Sequence, residues 1–230
     1  MIKKSIGILG GMGPDASASL YQKMISLART QFGAETNEAY PDIILHSVPV
    51  PDFITEQKNV PPAREMLLRS VAALSPSCVC FGIACNTAHL LLPDLQKSTS
   101  VPFVSMIEAV TQQIKERGYK RVGLLATPTT FHSELYQKSI GSLAEVCVPT
   151  DAQVTQMGVI VNKVLAGDFT QTAKELVMIA DELTAQGCEA IVLGCTELPL
   201  IFPMESYKLP TISSLDCLAQ ALLSVYYAQP

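Results

Sequence analysis

Short apolar runs, bounded by turn residues and separated by helix-like stretches, recur along the whole chain. They fall at residues 5–10, 42–48, 78–84, 103–107, 121–127, 190–195 and 211–214. Most are continuously apolar, where a sheet with one wet face would alternate. A strand that presents apolar side chains in both directions needs cover on both faces, and helices supply it. Leu176, Ile179, Ala180 and Leu183 form one helical stripe that stops before Gly187; a second pattern opens at Pro61-Pro62 and a third closes at Gly118. This alternation predicts an α/β protein built on parallel sheets.

Composition narrows the class. At 230 residues, 48% hydrophobic and 16% charged, the chain has material for one large core or two small ones and is unlike a disordered segment. A net charge of −5 without a basic stripe argues against nucleic-acid binding. Lys3-Lys4 ahead of an apolar stretch mimics a secretory leader. That stretch is short, carries four glycines and runs into Pro14-Asp15, so a first buried strand is expected instead. No run of about 18 apolar residues exists, and no membrane span is expected. Seven cysteines, an odd number without framework spacing, fit reduced thiols in a cytoplasmic protein.

The chain also repeats itself. IGILGGMGP at 6–14 has a counterpart in VGLLATPTT at 122–130; Cys85 in FGIACNTAH is echoed by Cys195 in IVLGCTELP; VPFVSMIE at 101–108 is echoed by LPTISSLD at 209–216. The general likeness of α/β units to one another is the competing explanation. Duplication predicts two similar parallel-sheet domains, residues 1–100 with 209–230 and residues 101–208, related by a pseudo-twofold. Ligands of open α/β sheets lie at the carboxyl ends of the strands.

Cys85 and Cys195 both fall at that end of a strand. Each is followed at once by small polar residues, Asn86 and Thr87 in one case, Thr196 and Glu197 in the other. Either cysteine alone reads as a small buried hydrophobe. Two in equivalent places read as an acid/base pair. Moving the α-proton of an amino acid without pyridoxal needs a base on one face, an acid on the other, and donors that hold the carboxylate as charge builds. A thiol, with an ordinary pKa of about 8.5, serves in either role, and a helix start beside it favours the thiolate. Asn86, Thr87, Thr196 and the N–H groups of the two helix starts are candidates for the carboxylate cradle. Glu197 is a candidate for the ammonium, and Thr127, ending the strand that mirrors the glycine loop, points to the same place. His89, one turn after Cys85, is a candidate for orienting a ligand or tuning the thiolate, or else a packing histidine.

Gly11-Met12-Gly13-Pro14-Asp15-Ala16 matches the dinucleotide fingerprint, but the second strand ends in His46-Ser47-Val48 without the acidic residue a ribose needs. A loop that admits a small anion is the expectation. No His/Cys/Asp spacing resembles a metal site, so no cofactor or metal is expected. Cys78, Cys80 and Cys188 read as core; Cys147, Cys217, His46 and His132 carry no assignable role.

GILGGMGP, CNTAH and GCTE, in this order and at these spacings, resemble the aspartate/glutamate racemase family, the aspartate-racemase branch in particular. The resemblance implies a cofactor-independent amino-acid racemase of two α/β domains, with the active site in the cleft between them and a homodimeric assembly. Carried over by motif, Cys85 and Cys195 are its catalytic acid/bases, and Met12, Gln57, Asn86, Thr87, Thr127, Thr196 and Glu197 contact the amino acid. Two departures bear on the substrate. Phe53 and Leu165 stand where aspartate racemases of this type carry an arginine and a lysine, with Lys58 and Lys163 as the nearby alternatives. The same scaffold also serves hydantoin racemases, maleate isomerases and one-cysteine arylmalonate decarboxylases. A non-catalytic small-molecule binder is the reading from another class.

Overall fold

The computed structural model describes residues 4–53 and 57–229. In chain order, β1 (Ser5–Gly10) leads through a glycine loop into α1 (Pro14–Gln31), then β2 (Ile43–Ser47), α2 (Val60–Leu74), β3 (Cys78–Ile83), α3 (Leu92–Lys97) and the short β4 (Phe103–Val104). There follow α4 (Met106–Arg117), β5 (Arg121–Ala126), α5 (Pro128–His132), α6 (Leu135–Ile140), β6 (Glu145–Cys147), α7 (Asp151–Leu165), α8 (Thr170–Ala185), β7 (Ala190–Gly194), β8 (Thr211–Ser213) and α9 (Ser214–Tyr227). The strands form two four-stranded sheets, ordered β2-β1-β3-β4 and β6-β5-β7-β8. Every ladder is parallel. The expected α/β class is the observed one.

The duplication holds down to the register. Gly7 of β1 pairs with Phe81 of β3, and Gly123 of β5 pairs with Ile191 of β7. Phe81 in turn pairs with Phe103, and Ile191 with Thr211. The glycine recurs for a physical reason. A Cβ on Gly7 would lie 2.5 Å from the Phe81 ring, and one on Gly123 would lie 2.9 Å from Cδ1 of Ile191. In both sheets the neighbouring strand's side chain packs over the space the glycine leaves.

The chain divides into two compact units. One contains the first sheet, runs to Met106 and resumes at Leu215; the other spans Ile107–Ser214. The crossings expected at 100/101 and 208/209 lie a few residues later. Pro102 and Pro210 do not mark linkers: the residues after them pair with β3 and β7, so β4 completes the first sheet and β8 the second. Only α9 returns to the first unit.

Both faces of the first sheet are covered. Ile6 and Ile8 of β1 pack with Leu20 and Met24 of α1 and Leu218 and Leu222 of α9. Leu9 points the other way and packs with Phe81, Ile83, Leu67, Val71 and Leu95. In the second unit, Leu125, Ile191 and Leu193 pack with Met157, Ile160, Leu176, Ile179 and Leu183. Removing one such side chain to alanine costs about 2–5 kcal/mol, which is why these strands tolerate no alternation. The helix-end signals behave as chemistry demands. Thr150 and Gln153 form a reciprocal capping box at the start of α7, and Gly118 and Gly187 take φ values of 73° and 87° after α4 and α8.

Two strand expectations change. β2 is an edge strand with partly or fully exposed side chains, so only one side of it is held by a ladder. β6 is three residues long, too brief to leave a periodic signature, and the sequence reading passed over it.

Candidate active site

The carboxyl end of β1 turns through Gly11, Met12 and Gly13. Gly11 has φ 90°, and a Cβ there would lie 2.6 Å from the Val48 carbonyl oxygen and 2.7 Å from its nitrogen, so only glycine lets the loop lie against β2. Ser17, in the first turns of α1, fastens it: the Gly11 N–H donates to Ser17 Oγ at 3.0 Å, and Oγ donates to the Gly13 carbonyl at 2.9 Å. Met12 is buried in the cluster that also holds Val48, Phe53 and Cys85.

Cys85 lies just past β3, where the Ala84 N–H still donates to the Leu9 carbonyl at 2.9 Å. Its carbonyl meets His89 Nδ1 at 2.9 Å, while the backbone N–H of Met106 donates to His89 Nε2 at 3.0 Å. A nitrogen that accepts carries no proton. The proton of this neutral ring is therefore on Nδ1, donated to the Cys85 carbonyl. Burial drives the His89 pKa down from 6.5 to about 4, against the backbone hydrogen bonds at Cys85 and Asn86, which raise it. His89 is a neutral strut between the Cys85 turn and the start of α4.

In the second unit, Cys195 occupies the corresponding place after β7. Its Sγ donates to Glu197 Oε2 at 3.1 Å, and Thr196 Oγ1 donates to the same oxygen at 2.9 Å. All three residues are buried. Thr127, at the end of β5, caps α5 by accepting from the Thr130 N–H at 3.2 Å. Its hydroxyl donates to Thr130 Oγ1 at 2.9 Å.

The helix starts expected after the two cysteines are short 3-10 turns instead, Thr87–Leu91 and Leu198–Leu200. A macrodipole needs more aligned peptides than these turns contain.

A family model for Asp/Glu/Hydantoin racemases matches residues 9–222. The chain belongs to this racemase family. Over 224 residues it is 26% identical to a broad specificity amino-acid racemase of Bacillus subtilis, covering 97% of this chain and 98% of that protein. An aspartate racemase homologue from Pyrococcus horikoshii matches its structure with a TM-score of 0.81 at 30% identity, over 97% of this chain and 99% of that one. The Picrophilus torridus aspartate racemase matches with a TM-score of 0.84 at 27% identity, over 97% and 94% of the two chains. A Francisella tularensis glutamate racemase, at 18% identity and a TM-score of 0.73 over 98% of this chain and 81% of that one, shares the fold. The protein is an isomerase of the amino-acid racemase type.

Within this racemase, the structure groups the expected residues by unit. Met12, Phe53 and Cys85 share one apolar cluster; Asn86 and Thr87 are buried in the turn that follows. Cys195, Thr196 and Glu197 form one hydrogen-bonded set. Gln57 opens a short 3-10 turn, and its side chain lies outside the described residues. Phe53 is only 3% exposed, a packed aromatic ring. Leu165 is 47% exposed at the end of α7. Lys163 lies 3.8 Å from Glu175 in an ion pair, and Lys58 is exposed.

Other thiols belong to the fold. Burial pushes Cys80 and Cys217 up to about 12. Sequence reasoning passed over Ser17, although a serine four residues after a loop glycine is a recognisable back-bonding position. It also left the role of His89 open. Among the described residues, no group of three or more His, Cys, Asp or Glu could hold a metal ion.

Proposed function

We propose that this protein racemises amino acids without a cofactor, with Cys85 and Cys195 as acid/base partners on opposite faces of one α-carbon. The observation that carries the reading is equivalence. The two sulfurs follow register-matched strands of two sheets with the same order, and each is buried in a polar turn at the carboxyl end. A structural cysteine has no reason to recur at that point in both copies.

The hydrogen bonds suggest the resting protonation. A sulfur that donates to a carboxylate holds its proton, so Cys195 is the resting acid and Cys85 the group that takes the α-proton first. Glu197 then keeps a proton acceptor beside Cys195 when the roles reverse. The turns at Asn86, Thr87 and Thr196 supply donors for the substrate carboxylate, whose charge grows as the α-carbanion forms. A homodimer is part of the same proposal.

Phe53 supports a neutral substrate. An acidic side chain placed against a buried ring would lose its hydration without gaining a partner. The full-length likeness to a broad specificity amino-acid racemase agrees with a site not committed to aspartate. The test is α-hydrogen exchange in D₂O across a panel of amino acids, followed by NMR. Exchange of neutral amino acids supports the reading, and silence across the panel would sink it. The substrate assignment is checked on Phe53→Arg. Its kcat/KM for aspartate is expected to rise relative to neutral amino acids, and an unchanged preference would remove Phe53 from specificity.

A further inference from the structure

One hydroxyl spans the glycine loop at the end of β1. Ser17 Oγ accepts from the Gly11 N–H at 3.0 Å and donates to the Gly13 carbonyl at 2.9 Å, bridging the residues on either side of Met12. Gly13, the residue that caps α1, has no side chain with which to do this. In the second unit the cap itself does it, where Thr127 accepts from the Thr130 N–H. Ser17 is 2% exposed, and α1 closes on β1 so tightly that a Cβ on Gly10 would lie 2.7 Å from the serine oxygen. Serines inside helices commonly return a hydrogen bond to the carbonyl four residues back, and Ser70 of α2 does so to Met66 at 3.0 Å. Ser17 does the same to Gly13 but also accepts from a loop amide, and that second bond ties the helix to the loop. Met12 in turn is buried in the apolar cluster that holds Cys85. We propose that Ser17 is a positioning residue for racemisation: its hydroxyl fixes the shape of the loop at 11–13 and, through Met12, the surroundings of the Cys85 thiol. This role rests on the reading of Cys85 as an acid/base group of the racemase.

Removing the hydroxyl affects the two ends of the loop unequally. The Gly13 carbonyl still receives the Ser17 backbone N–H at 3.3 Å. The Gly11 N–H loses its acceptor, and a partly buried amide in that state costs free energy until the loop rearranges to find another. Glycine at 11 and 13 offers little resistance to such a change. The strand beneath is held independently, since the Val48 N–H donates to the Gly10 carbonyl at 3.0 Å and β1 keeps its ladder with β3. The fold therefore survives while the loop samples several shapes. A loop that is competent for only part of the time weakens apparent substrate affinity by that fraction and leaves turnover of the bound complex alone. The loss falls on KM more than on kcat.

The experiment compares wild type, Ser17→Ala, Ser17→Thr and Ser70→Ala as full chains, with the methionine methyl groups carbon-13 labelled for NMR. Met12→Leu identifies the Met12 signal. Ser70→Ala removes a buried, back-bonding helix serine of the same unit and controls for lost stability. Ser17→Ala is expected to shift or broaden the Met12 methyl signal. On an amino acid that wild type racemises, it should lower kcat/KM about tenfold, mostly through KM. Ser17→Thr keeps the hydroxyl and should return both readings close to wild type. Ser70→Ala should be weaker against urea yet leave the Met12 signal and the kinetics unchanged. The positioning role fails if Ser17→Ala leaves the Met12 methyl in place, or lowers activity no further than Ser70→Ala does. A threonine variant no better than alanine would show that the hydroxyl is not the group responsible. A fall in kcat with KM held would overturn the loop-population account. Silence of wild type across an amino-acid panel is a different failure: it removes the racemase reading, and this role with it, whatever the methyl signal shows.

Discussion

The Cys85 turn and the Cys195 turn occupy matching places in two sheets and keep different neighbours. Both follow the third strand of a four-stranded sheet, on matched registers, and both enter a 3-10 turn. Beside Cys85 a neutral histidine is spent on the backbone, tying the cysteine carbonyl to the start of α4. Beside Cys195 the Glu197 carboxylate meets the sulfur itself. Duplication preserved the position of the two sulfurs, because strand register dictates it. It left the side chains beyond them open to change, because nothing in the sheet depends on those. The proposed reaction needs the two thiols in opposite protonation states at rest, and different neighbours are one way to set them apart.

Replacing the sulfurs tests the comparison most severely. Cys85→Ser and Cys195→Ser should each lower racemisation by about 10³-fold or more, since a serine alkoxide is far harder to reach than a thiolate. The two variants should fail differently, each retaining α-hydrogen exchange for the enantiomer whose proton faces the remaining thiol. Chiral chromatography alongside exchange in D₂O reads both. Near wild-type racemisation by either variant would end the two-thiol reading.

The next effect concerns the strut that only one turn has. Unfolded, His89 takes up a proton near pH 6.5; folded, it does so only near 4. Between those values unfolding binds a proton. The contribution is fully present above about 6.5, falls as the pH drops toward 4, and changes no further below. Its size is about 3 kcal/mol. His89→Gln keeps a donor for the Cys85 carbonyl and an acceptor for the Met106 N–H but does not titrate. Urea denaturation at a series of pH values should show a flatter acid limb in the variant. An identical slope would mean that His89 is not the group responsible.

A smaller difference separates the matched glycines. Gly7→Ala presses a methyl group against the aromatic ring of Phe81 and toward Cys78 Sγ at 2.8 Å. Gly123→Ala meets the flexible end of Ile191 and the side chain of Leu183 at 3.1 Å. Overpacking of this kind costs about 1–3 kcal/mol, with the ring at the upper end and the movable isoleucine at the lower. Equal losses in thermal and urea denaturation would show that both sheets yield alike.

Long apolar strands, capped helices and the two cysteine motifs were legible in the sequence because each is a local pattern. The stripe from Leu176 to Leu183 is buried as its spacing demanded, and the α/β class followed from the runs alone. What escaped is what needs the third dimension. β6 has too few residues to be periodic, and β4 and β8 declare their sheet only through their ladders. The helix starts expected beside the cysteines shortened to turns, since Thr87–Leu91 and Leu198–Leu200 are held by neighbouring chain and not by their own length. The meeting of Arg121 with Cys147 depends on which strands pair, which no local window contains. His89 was visible as a choice between ligand and packing roles; the accepting geometry at Nε2 decided it.

Glu197 is where the two turns differ in charge and not in scaffold. Glu197→Gln keeps an acceptor for Cys195 Sγ and Thr196 Oγ1 but removes the carboxylate. Without a negative neighbour the thiolate of Cys195 becomes easier to form, since a carboxylate beside a sulfur opposes its ionisation. The variant should therefore show faster alkylation of Cys195 and stronger thiolate absorbance at neutral pH. Its acid is then partly missing from the resting enzyme, so kcat should fall about tenfold, roughly 1.4 kcal/mol, with little change in KM. A purely structural role would instead lower stability and leave the alkylation rate alone. If Cys195 reacts no faster in the glutamine variant, the carboxylate does not hold its proton, and the two turns are more alike than their hydrogen bonds indicate.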